Sequence, residues 1–215
     1  MPNKRQRAKK KAAKEAAKHA AASAQQATLA KAVQPCPLKA AADKEAERVA
    51  KKYDEIAQNG HAVQRYGEAI TQQQLEDRAV KGFDPVTGTK DDGYNKKADG
   101  TPAEHLAGRH ATKFKDKAAL VKAEETIRKG GDYKKELEDA EKAGSKTFAV
   151  KTAKLEDAFG KDYKDKVAGV TRQGSVKNPA GSGPTDFADG TIRAVFKKDD
   201  KGNWNVHTMF PEPKA

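Results

Sequence analysis

The closing stretch "TIRAVFKKDDKGNWNVHTMF" constrains the fold more than any other part of the chain. Two runs rich in β-branched and aromatic residues flank Asp-Asp-Lys-Gly, a reversal signal, so the protein is expected to end in an antiparallel hairpin. In an extended strand alternate side chains share a face, which groups Trp204, Val206, Thr208 and Phe210 against Asn205, His207 and Met209. His207 and Thr208 can therefore line one cleft only if the strand bulges. A purely structural reading puts Trp204, Val206 and Phe210 in the core and His207 in solvent.

Upstream the periodicity is helical. "AAADKEAERVAKKYDEIAQNG" carries Ala46, Val49, Ala50, Tyr53, Ile56 and Ala57 on one side, with Asn59-Gly60 as a left-handed exit. "TQQQLEDRAVKG" opens on a capping box, Thr71 with Gln74, and ends at Gly82, with Leu75 and Ala79 inward and Arg78 at the margin of that face. "DKAALVKAEETIRKGG" takes Asp116 as N-cap, buries Leu120, Ala123 and Ile127, and stops at Gly130-Gly131. "DYKKELEDAEKAG" reads as a further charged helix, "KTFAVKT" as a strand and "LEDAFG" as a helical turn. "HLAGRHATKF" is ambiguous between strand and turn. Two stretches crowded with Gly, Pro, Asp and Asn, "FDPVTGTKDDGYNKKADGTPAE" and "RQGSVKNPAGSGPTDFADG", read as long loops. Helices first and strands last predict an α+β fold, with amino-terminal helices followed by a carboxyl-terminal antiparallel sheet.

The charge is unevenly spread. Residues 1–31 hold nine Lys or Arg against the single acid Glu15, so this segment carries most of the net +12. Lys and Ala favour a solvated helix without an apolar stripe, which suits a basic tail that tracks phosphate or an anionic surface, or that keeps the chain in solution. "VQPCPLK" then breaks the pattern. The expected organisation is a tail and Pro linker over 1–39, a connecting helix over 40–58 and the functional domain over 59–215. No apolar run approaches the roughly 18 residues of a membrane span, and the amino end lacks an apolar signal region. Any export is expected to be signal-peptide-independent. Cys36 stands alone, which excludes an internal disulfide and a cysteine zinc site.

The motif search is mostly exclusionary. No GxSxG, phosphate-cradling GxxxxGK[ST], dinucleotide GxGxxG or HExxH occurs, and His105 and His110 are five apart, a poor spacing for two ligands on one helix face. No metal or cofactor is expected. What remains suits metal-free phosphate chemistry: His61 and Arg65 in "GHAVQRYGE", Arg78 in "QLEDR", Arg109, His110, Thr112 and Lys113 in "GRHATKF", and Thr208. Cleavage of RNA by its own 2′-hydroxyl needs a base, an acid and cationic or hydroxyl donors for charge on phosphorus. These residue types supply them.

The order "GHAVQRYGEAITQQQLEDR", "ATKFKDKAALVKAEETI" and "GTIRAVFKKDDKGNWNVHTMFPEP" resembles the bacterial ribonuclease A-like toxin domains at the carboxyl ends of contact-dependent inhibition proteins and related polymorphic toxins, across roughly residues 60 to 215. The resemblance implies a disulfide-free, metal-independent RNase of α+β, ribonuclease A-like architecture, neutralised by a cognate immunity protein. It carries the family's Arg to Arg78, its Thr to Thr208 and its terminal aromatic, usually Tyr, to Phe210. The family's His falls on Tyr66. Either another base serves, His61 or His110, or the domain is weakened or inactive. The expected function is that of an antibacterial effector, exported by delivery machinery into the cytoplasm of a competitor cell. There His61, Tyr66, Arg78, His110, Thr208 and Phe210 would form the catalytic set, and Arg65, Arg109, Thr112 and Lys113 would bind RNA. Two alternatives stand beside it: an ADP-ribosyltransferase toxin, and a non-enzymatic nucleic-acid-binding or adaptor protein in which the tail does the work.

Overall fold

The computed structural model describes residues 11, 14–20, 37–106 and 108–214. Residues 11 and 14–20 of the basic tail are helical and exposed; residues 1–10, 12–13 and 21–36, Cys36 among them, lie outside the described residues. The chain is α+β. Helix α1 (Pro37–Asn59) is followed by the short α2 (Ala62–Tyr66) and by α3 (Gln72–Lys81). A two-stranded ribbon, β1 (Asp91–Lys96) with β2 (Pro102–Glu104), precedes β3 (His110–Phe114), α4 (Lys117–Lys129) and α5 (Gly131–Lys142). Then come β4 (Thr147–Lys154), α6 (Leu155–Phe159), a 3-10 turn (Gly160–Asp165), β5 (Val167–Gly174), β6 (Pro179–Pro184), β7 (Thr191–Lys198) and β8 (Trp204–Glu212). Besides the ribbon there are two three-stranded antiparallel sheets, ordered β3-β5-β6 and β4-β7-β8. Among the described residues no helix is long and apolar enough to cross a membrane.

Local capping explains the helix bounds. Thr71 accepts from the Gln74 amide while the Gln74 side chain accepts from the Thr71 amide, and Gly82 ends α3 in the left-handed region. The Asp116 carboxylate accepts from the Ala119 amide at the start of α4. The exit of α1 differs from the sequence expectation: Gly60 does not have a positive φ. Its lack of a side chain serves close packing instead.

Two apolar clusters support the sheets. The larger gathers Tyr53 and Ile56 of α1, Leu120 and Ile127 of α4, Phe148 of β4, Phe196 of β7, and Val206 and Met209 of β8. Phe148 stacks on Phe196 at 5.1 Å, and Tyr133 and Trp204 meet them edge-on. The smaller joins Ile70, Leu75 and Ala79 to Ala111 and Val170, seating α3 on the β3-β5-β6 sheet. Because Tyr53 and Ile56 belong to the larger core, the compact unit begins at Glu47, inside α1, where the sequence reading began the domain at residue 59. A separate unit is formed by Met1–Ala46.

Three sequence expectations are corrected here. Both long loops contain strands: the first holds β1 and β2, and the second the end of β5 with β6. β6 reads "PAGSGP", so its pairing with β5 comes from backbone hydrogen bonds at a sheet edge, where Pro is tolerated, and not from an alternating apolar pattern. The third correction concerns β8. Val195 pairs with Thr208 but the next residue, Phe196, pairs with Val206, so His207 is an extra residue in the strand, a β-bulge. Val206 and Met209 are both buried, at 2% and 0% exposure, although three residues apart. The bulge flips the alternation, separates Val206 from Thr208 and sets His207 and Thr208 outside the core face together.

Candidate functional site

The segment Gly60–Tyr66 lies across β8 at the bulge. The His61 amide donates to the His207 carbonyl at 2.8 Å. A Cβ on Gly60 would sit 2.3 Å from that oxygen and 2.4 Å from the Val206 carbonyl, so only glycine permits the crossing. The crossing brings the His61 ring edge-on to His207 at 4.5 Å and against Tyr94 of the ribbon at 4.8 Å. Burial, with help from the Arg65 charge, pushes His61 down to about 3, so its imidazole is neutral. Its Nδ1 is buried with no hydrogen-bond partner among the described residues.

Behind His61 the Arg65 side chain is buried and doubly paired. Its Nη2 donates to Asp84 at 2.5 Å and to Asp92 at 2.7 Å, and its Nε donates to Asp84 at 3.2 Å. Burial alone would raise both carboxyls. For Asp84, Arg65 and the Gly93 and Val86 amides outweigh it; for Asp92, the Tyr94 and Asn95 amides do so, with Arg65 behind them. Asp84, Asp92 and His105 bring three ligand-type atoms within 4.8 Å of one another, the composition of a cation site. The guanidinium of Arg65 supplies the positive charge there. Arg65, expected to bind RNA, is thus a neutralised anchor that ties α2 to the ribbon.

The first cleft, about 320 Å³, opens beside this anchor and is lined by Tyr66, Arg78, Arg109, His110, Phe210 and Glu212, among others. Arg78 donates from Nη2 to the Tyr66 hydroxyl at 2.6 Å, and its guanidinium lies 4.4 Å above the Tyr66 ring. Tyr66 stacks on Phe210 at 4.9 Å. His110 reaches the cleft from β3, where its Nδ1 is 2.9 Å from the Thr171 hydroxyl, itself 3.0 Å from that of Thr185. Burial first, then the charges of Arg109 and Arg172, hold His110 below its ordinary value. Arg172 donates to the carbonyls of Ala79 and Gly108, fixing the turn that leads into β3.

The sequence candidates divide accordingly. Tyr66, Arg78, Arg109, His110 and Phe210 converge on one cleft although the chain separates them widely. His61 does not join them; it lines a second cleft with His207. Thr112 also borders the first cleft, but its hydroxyl donates to the Pro211 carbonyl at 2.6 Å, and Lys113 donates to the carbonyls of Glu68 and Ile70. Both are committed to holding β3 against neighbouring chain. Thr208 lines neither cleft, and its Oγ1 is buried without a hydrogen-bond partner among the described residues. Sequence reasoning missed Asp84, Asp92 and Tyr94. The signal was faint, since all three lie in stretches whose Gly, Pro and Asp content reads as loop. Comparison with protein-family models, with curated proteins and with solved structures returned no match.

Proposed function

We propose that the compact unit cleaves RNA by metal-independent acid/base chemistry, as an antibacterial effector acting in the cytoplasm of a competitor cell and held in check by an immunity protein. The observation that carries this reading is the convergence of Arg78, Arg109, His110 and Tyr66 on one cleft. His110, kept neutral, takes the proton of the 2′-hydroxyl as that oxygen attacks phosphorus. Tyr66 accepts a hydrogen bond from Arg78 through its oxygen, which leaves its own proton for the departing 5′-oxygen. Arg78 and Arg109 offset the charge that builds on the phosphoryl oxygens. Tyr66 stands where the family resemblance implies His, so His110 takes the role of base here and His61 does not.

The full chain is incubated with total RNA, with and without EDTA, and the products are tested for 2′,3′-cyclic phosphate ends. Cleavage is expected in both lanes. His110→Ala is expected to lower the rate by about 10²-fold or more, the usual share of one positioned acid or base. Intact RNA in both lanes sinks the proposal, and undiminished cleavage by His110→Ala removes His110 from it.

A further inference from the structure

We propose that the second cleft, on the far side of the Gly60–Tyr66 segment, is a nucleobase subsite for the RNA strand whose phosphate enters the first. It rests on the RNA-cleaving reading of the first cleft. The second cleft holds about 450 Å³ and is lined by His61, Tyr94, Lys197, Asn205 and His207, among others. Much of its polar lining is already committed. Lys198 is paired with Glu141, and Asp199 accepts from Asn203 and Asn205.

Among the remaining lining groups, three decide which ligand fits. Tyr94 stays 40% exposed although the His61 ring lies 4.8 Å and the Arg65 guanidinium 5.0 Å from its own ring, so part of its aromatic surface is open at the mouth of the cleft. His61, only 7% exposed, lines the cleft with a neutral ring whose buried Nδ1 has no hydrogen-bond partner among the described residues. Lys197 is exposed and makes no ion pair among the described residues. A flat aromatic ring with polar edges suits all three: it stacks on Tyr94, lays an edge against the neutral His61 ring and leaves its phosphate to Lys197. A bare anion fits worse, because the His61 imidazole is neutral and Asp199 and Asp200 border the same cleft.

The spacing agrees with a continuous strand. His207 in the second cleft and Phe210 in the first are three residues apart on β8, roughly 10 Å at about 3.3 Å per residue. Nucleotides stacked at about 3.4 Å each cover that distance in about three steps. The Tyr94 and His61 rings read no base edge, so the subsite is expected to accept all four bases with stacking setting the order.

The full chain is titrated with each of the four nucleoside 5′-monophosphates and with inorganic phosphate, followed by amide chemical shifts. In parallel, kcat and KM are measured on a short RNA. Mononucleotides are expected to shift residues around Tyr94 and His207, and inorganic phosphate is not. Tyr94→Ala is expected to weaken mononucleotide binding about tenfold, within the range for loss of one base-stacking ring, and to raise KM while kcat holds. Tyr94→Phe keeps the ring and is expected to bind as the unchanged protein does, and Lys197→Ala is expected to raise KM only. No mononucleotide shifts, or unchanged binding and KM in Tyr94→Ala, overturns the subsite even if RNA is cleaved. Tyr94-dependent mononucleotide binding in a protein that leaves RNA intact upholds the subsite and sinks the RNA-cleaving reading instead.

Discussion

A hydroxyl buried without a partner costs stability, and Thr208 carries one. Replacing it by the isosteric Val removes the unsatisfied atom and keeps the shape, so Thr208→Val is expected to melt at the same temperature or slightly higher. If the hydroxyl is retained for substrate, as the resemblance implies, the same variant loses RNA cleavage about tenfold or more while staying folded. Unchanged cleavage by this variant makes Thr208 a structural residue. The histidines give a second test at this scale. Burial is the leading cause that lowers His61, His105, His110 and His207. Their neutral forms are favoured in the fold, so below about pH 6.5 the unfolded chain binds more protons than the folded one. Their contribution is complete above that pH and is lost as pH falls, until His61 itself charges at about 3. The two buried histidines, His61 and His105, contribute at most about 1.4 kcal/mol each per pH unit, and the half-buried His110 and His207 less. Urea midpoints are expected to decline from pH 6.5 toward 4.5, before Asp84 and Asp92, held below their ordinary values, begin to protonate. A flat profile across that window contradicts the buried neutral histidines.

At the level of elements, the bulge in β8 and the crossing at Gly60 make one joint. An alanine at 60 places its Cβ 2.3 Å from the His207 carbonyl oxygen, closer than backbone atoms tolerate, so one of the two segments has to move. Gly60→Ala is expected to cost about 3 kcal/mol, at the upper end for forcing an extra methyl into a packed site, and to shift the ring resonances of His61 and His207. Gly131→Ala, with open space around it at the first position of α5, is the control and is expected to stabilise by about 0.5–1 kcal/mol. Equal midpoints for the two variants contradict the joint. Elements bounded by local chemistry were legible in the sequence. Thr71 with Gln74, Asp116 and the Asp-Lys-Gly reversal before β8 act within a few residues of themselves, so α3, α4 and the final hairpin follow from pattern alone. What was not legible depends on distant partners. "PAGSGP" becomes a strand only because β5 lies beside it, and "DDGYNK" because β2 pairs with it while Arg65, 27 residues earlier, holds Asp92. The bulge was stated as the condition for His207 and Thr208 to share a face, but no residue in "NVHTMF" announces it; the register against β7 does. The candidate site divides in the same way. Arg78, His110 and Phe210 were named from residue type and resemblance, whereas the diversion of Thr112, Lys113 and Arg65 into structural bonds needed the fold.

For the whole molecule, the question is where the working unit begins and what the basic segment before it adds. Tyr53 and Ile56 are buried at 7% and 3% exposure in the larger core, so a chain that starts at residue 59 leaves that core open on one side. Losing two such side chains removes roughly 1.5–3 kcal/mol each, against a total stability of about 5–15 kcal/mol for an ordinary domain. The chain from residue 47 retains both. It also lacks the tail whose nine basic residues within positions 1–31 carry most of the net charge, and phosphate contacts by such residues weaken steeply with salt. The two truncations therefore separate fold from charge. The chain from 47 is expected to melt cooperatively near the full chain's temperature and to cleave RNA with unchanged kcat, while its RNA affinity falls less steeply with salt. The chain from 59 is expected to melt well below it, or without a cooperative transition, and to lose cleavage with the fold. Circular-dichroism melts and a salt series of RNA binding on the three chains decide the matter. If activity disappears from the chain starting at 47 although it melts like the full chain, the tail does the work and the adaptor reading displaces the enzyme.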